Sequence, residues 1–91
     1  MLRPEEIIER SDKGMIVDVV VMPPGWTERD ANVIGQPVVL GTRDTGYIGV
    51  IVHKDGNPVQ IWWSEETRPT VESAREDVIA EAQKRKKHVA G

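Results

Sequence analysis

The hydrophobic period of the chain changes at Thr70. Between Met15 and Trp63 the apolar residues come in short β-branched runs broken by Gly, Pro and Asp. From Val71 onward, Val71, Ala74, Val78, Ala82, Arg85 and Val89 fall at spacings of three and four. Strands line a face every second residue and helices every 3.6, so the two parts cannot belong to one kind of element. The pattern predicts a sheet of short strands with a long amphipathic helix laid on it. Thr70 is the expected N-cap of that helix, with Glu72 in its first turn.

Upstream, Pro4-Glu5-Glu6-Ile7-Ile8-Glu9-Arg10 reads as a short helix with Pro at its first position, ended by Ser11-Asp12-Lys13-Gly14. Met15 to Met22 is apolar on both pleat faces, which predicts a central strand covered on both sides. Pro23-Pro24-Gly25 stops it, and a polar connection follows with one helical turn around Arg29 to Val33. Strands are expected again at Pro37-Val38-Val39-Leu40, at Tyr47 to His53 and at Val59 to Trp63, the last two joined by a hairpin over Lys54-Asp55-Gly56-Asn57-Pro58. Asp12-Lys13-Gly14-Met15-Ile16 and Asp44-Thr45-Gly46-Tyr47-Ile48 share D-x-G-x-I, which shared turn chemistry explains better than duplication.

At 91 residues the chain makes one domain, divided into residues 1–14 (helix and turn), 15–63 (β-rich body) and 70–89 (C-terminal helix). It has no Cys, hence no disulfide, thiolate zinc site or cysteine nucleophile. No apolar run approaches the roughly 20 residues of a membrane span, and the N-terminus is acidic where a signal peptide is basic. A cytoplasmic chain is the expectation. The net charge of −3 is unevenly spread, an acidic body ending in Lys84-Arg85-Lys86-Lys87. Acids early and bases late in a helix suit its dipole; the basic end is also a candidate contact for a phosphate backbone or an acidic protein.

Residues 36–63 resemble the KOW motif and its SH3-like barrel relatives, in which a strand leads to D-x-G-x-x-G-x-V. Asp44, Gly46, Gly49 and Ile51 stand at its D, G, G and V positions. The resemblance implies a small barrel, with Gly46 at positive φ and Gly49 letting a coiled strand bend. It also implies a nucleic-acid-associated role, although Thr45, Tyr47, Ile48 and Val50 stand where that family carries lysines. The fold expectation is therefore α+β: a small, strongly bent antiparallel sheet or SH3-like barrel, with a short N-terminal helix and a C-terminal helix packed on it.

The period of two puts Ile48, Val50 and Val52 on one face as core, and Tyr47, Gly49, Ile51 and His53 on the other. Trp62 is expected on the second face near Tyr47 or Ile51, with Val59, Ile61 and Trp63 opposite it. Trp62 is then either an exposed platform or core beneath the C-terminal helix. Trp26, beside Pro-Pro-Gly, is either an exposed contact or a loop anchor. No catalytic set emerges. Gly41 to Gly46 has the glycine spacing of a phosphate loop but lacks its Lys, His53 and His88 lack ligand spacing, and the carboxylates of Asp12, Asp18, Asp30, Asp44, Glu65 and Glu66 form no pattern. The sequence thus points to a non-enzymatic binding module with no metal or cofactor. Its partner is a protein, met by Trp26, Tyr47 and Trp62 or by an open sheet edge. The alternatives are a nucleic-acid-associated module using Arg43, Lys84, Arg85, Lys86 and Lys87 on phosphates, and a self-assembling homo-oligomer.

Overall fold

The computed structural model describes residues 1–16, 18–53 and 60–90. Its elements run α1 (Pro4–Asp12), β1 (Asp18–Val20), α2 (Glu28–Val33), β2 (Gln36–Thr42), β3 (Gly46–Val52), β4 (Gln60–Trp63) and α3 (Val71–Ala90). The expected hairpin turn over residues 54–58, and Val59, lie outside the described residues. The strands form one antiparallel sheet in the order β1-β2-β3-β4. β1 and β4 are its two edges and do not pair with one another among the described residues, so the sheet is open. Of the two architectures left open by the sequence, the α+β sheet carrying helices is the one formed, with no barrel closure.

Local chemistry marks where each helix starts. Pro4 opens α1, with Glu5 and Glu6 in the first turn and Arg10 in the last, an order that suits the helix dipole. α2 has a reciprocal capping box. Asp30 N–H donates to the Thr27 hydroxyl (3.2 Å), and Thr27 N–H donates to the Asp30 carboxylate (2.9 Å). Thr70 caps α3, its hydroxyl accepting from Ser73 N–H at 3.1 Å.

The sheet buries both faces over its middle strands. On one side Val39 and Ile51 pack with Val21, Trp26 and Ile34 beneath Ala74, Val78 and Ala82 of α3. On the other, Val38, Leu40, Ile48 and Val50 pack beneath Ile7 of α1. The β3 alternation is as expected, with both of its faces serving as core. Gly49 sets the approach of α3. A Cβ there would stand 2.7 Å from Val78 Cβ and 3.0 Å from Ala74 O, so its bare backbone is what lets α3 lie close on β3. Gly46, at φ 82°, does hold the left-handed turn conformation.

Two expectations about strands are corrected. Ile51 pairs with Trp62 and Val52 with Gln60, which leaves Ile61 as a bulged residue. The extra residue breaks the alternation, and Ile61 and Trp62 both pack on the α3 side. The second correction is β1, which is an exposed edge and not a central strand: Val19 is 47% and Val20 59% exposed. The helices pack chiefly on β2 and β3.

Gly49→Ala forces α3 off the sheet and is expected to destabilise the fold by about 1–3 kcal/mol, measured by denaturant unfolding with the m-value unchanged.

Candidate protein-binding surface

β1 pairs with β2 through Asp18↔Leu40, Val19↔Val39 and Val20↔Val38. Just beyond, Val21 N–H donates to Pro37 O at 2.9 Å, so Val21 and Val19 turn their backbone groups toward β2. Pro37 has no N–H to return. The Gln36 side-chain amide takes that place, donating to Val21 O and to Pro37 O, both at 3.1 Å. A proline in β2 thus ends the β1 ladder, and a neighbouring glutamine satisfies the carbonyl it leaves behind.

By the same alternation, Asp18 and Val20 point their N–H and C=O groups away from the sheet. They have no backbone partner among the described residues on that side. Around this free edge stand exposed Met15, Val19, Val20 and Met22. An unpaired edge is usually blunted by a very short strand, by charge, by proline or by a bulge. Here the strand carries three residues and one charge, Asp18.

The residues singled out from sequence lie elsewhere. Trp26 is only 7% exposed, packed in the α3-side cluster, and is a loop anchor and not an exposed contact. Its indole N–H has no acceptor among the described residues. Lys86 crosses the ring at 5.9 Å from its centroid, while its ammonium donates to Gly25 O and to the Asp30 carboxylate, both at 2.8 Å. One lysine therefore ties the last turns of α3 to the Pro-Pro-Gly loop and to the cap of α2.

Tyr47 and Trp62 both pack partly buried on the α3-covered face. Trp62 lies opposite Ile51, four residues and about 13 Å along β3 from Tyr47. The tyrosine backbone is paired both ways with Arg68 at 2.8 Å. Arg68 in turn forms a two-pronged bond to Asp77 on α3 (2.8 and 3.3 Å), which raises its already high pKa. The most exposed tryptophan is Trp63, at 40%, on β4. Sequence reasoning passed over it and the β1 valines. The signal for β1 was available in Pro37, whose missing N–H limits what can pair beside it.

The basic residues are not gathered. Arg43 is exposed on the β2–β3 turn, next to Gly46 and Tyr47, whose neighbours Thr67 and Arg68 lead into the start of α3. Lys84 to Lys87 stand in the last turns of that helix, roughly 20 Å along its axis. Arg85 is held by Glu81 at 2.7 Å and Lys86 by Asp30, while Lys84 and Lys87 are exposed. No group of three or more His, Asp or Glu is placed to hold a metal among the described residues, and His53 and His88 are both exposed. None of the described helices is long and apolar enough to cross a membrane.

Asp30 is held clearly below its ordinary value, chiefly by the Lys86 ammonium and then by Thr27 N–H. A carboxylate with a depressed folded-state pKa stabilises the fold above its unfolded value and loses that contribution as the pH falls through the folded one. The loss begins near 3.8, the ordinary value, and continues below it. Asp30→Asn should therefore melt below the wild type at pH 7, and the gap should narrow by pH 3 in a thermal series.

No family model, curated protein or solved structure matches this chain.

Proposed function

We propose that the chain is a non-enzymatic protein-binding module that takes an extended segment of a partner onto the free edge of β1. The observation that carries this reading is a strand edge with no backbone partner among the described residues, Asp18 and Val20 turned outward, flanked by exposed Met15, Val19 and Met22. Main-chain bonding at such an edge supplies affinity, and alternate side chains supply specificity. Tyr47 and Trp62 support the surface indirectly, by holding α3 and the loop after β4 on the sheet.

The competing reading is the nucleic-acid-associated one implied by the KOW resemblance. The acidic body, the α3-covered face of Tyr47 and Trp62, and the separation of Arg43 from Lys84 and Lys87 all weigh against it. Phosphate binding needs clustered cations.

Val20→Pro is the direct test. It removes an outward N–H and sets a ring on the free edge, while the bonds of Val19 and Val21 to β2 remain. Used as immobilised bait in a lysate, the wild type and a Lys84→Ala/Lys87→Ala variant should retain the same proteins. Val20→Pro, with an unchanged near-ultraviolet circular dichroism spectrum, should retain them about tenfold less well, the effect of losing roughly 1.4 kcal/mol. Equal retention by Val20→Pro overturns the reading. In a second experiment, single-stranded RNA added at about 50 mM salt should leave tryptophan emission unchanged. Saturable quenching that fades by about 200 mM would favour the nucleic-acid reading.

A further inference from the structure

The free edge of β1 is self-complementary, and we infer that its occupant is β1 of a second copy, giving a two-fold dimer with one continuous antiparallel sheet. This rests on the edge reading above and names the partner.

The register follows from which groups face outward. Asp18 and Val20 carry the free N–H and C=O groups, while Val19 faces β2. In an antiparallel pair, outward-facing residues must oppose outward-facing residues. Three registers satisfy this near the centre of the strand. One stacks Asp18 on Asp18 of the second copy, placing like charges directly opposite. One pairs Val20 with its own copy and runs Asp18 against Met22, which lies past the strand and just before Pro23. In the third, Asp18 opposes Val20 of the second copy, Val20 opposes its Asp18, and the two Val19 side chains meet on the axis. Only this register pairs every residue of β1 (Asp18–Val20) with another strand residue. It makes four backbone hydrogen bonds, keeps the carboxylates apart and puts the valines in the closer, non-hydrogen-bonded site.

The other edge competes poorly. β4 is kinked by the bulge at Ile61, and the chain after it turns back to pair Arg68 with Tyr47. Bulges of this kind protect an edge. An isologous β1 pair closes as a dimer, whereas β1 on β4 of the next copy would continue as a filament. A three-residue ladder with flanking Met15 and Met22 falls short of the roughly 1,200 Å² of a stable interface. The dimer is therefore weak and depends on concentration.

Sedimentation equilibrium on the full chain, from about 1 μM to 1 mM, tests this with two variants that move in opposite directions. Wild type should rise from 10.2 kDa toward twice that mass. Val19→Lys brings two ammonium groups together on the axis and should weaken the dimer at least about tenfold, with the circular dichroism spectrum unchanged. Val20→Lys places each new ammonium opposite Asp18 of the other copy and should tighten it by about two- to tenfold, a gain that unfolding cannot mimic. A wild type that stays at 10.2 kDa throughout overturns the dimer, as does a dimer indifferent to both variants. If the chain is monomeric yet Val20→Pro still releases captured proteins, the edge reading stands and only the second-copy occupant falls.

Discussion

Everything in this fold depends on how closely α3 can approach the sheet, and that distance is set at Gly49. A methyl group there would overlap Val78 and crowd the Ala74 carbonyl. With only hydrogen present, Ala74, Val78 and Ala82 reach Val39 and Ile51, and the small residues of one helix face fit the valine and isoleucine surface below them. The same contact decides the fate of the aromatic residues. Tyr47 and Trp62 lie along the helix margin, and Trp26 is closed over by Lys86, so the rings consolidate the packing.

The helices settle over β2 and β3, and the cost of that choice falls on β1. A strand beside β2 must pair with residues that alternate their backbone groups, and at Pro37 one of those groups does not exist. Gln36 satisfies the orphaned Val21 carbonyl without extending the ladder. β2 thus stops the β1 ladder at its Val21 end, and Val19 and Val20 stay about half exposed. A buried-looking sequence ends up at the rim because its neighbour, more than its own composition, sets how much of it can pair.

That is also where reading the sequence stopped short. The element order, the N-terminal helix opening at Pro4, the turn glycine at Gly46, the Thr70 cap and the α3 face all follow from local chemistry, and the structure has them. Two features depended on partners distant in sequence. Met15 to Met22 was apolar enough for a central strand, but nothing within the run shows that helices will cover only the next two strands. Trp62 lies on the face the alternation gives it, but Ile61 joins it there, because a bulge is a property of a pair of strands. Of the candidate site, the idea of an open sheet edge was legible. The particular tryptophans were not, because Trp26 is buried by a lysine 60 residues later in the chain.

The strands pair in the order in which they occur, β1 with β2, β2 with β3 and β3 with β4. Such neighbouring hairpins close in microseconds. The strands can therefore pair before α3 docks, and until it does Val39 and Ile51 lack their cover. A folding chain of this design is most vulnerable to mispairing in the interval before α3 lies down on its sheet.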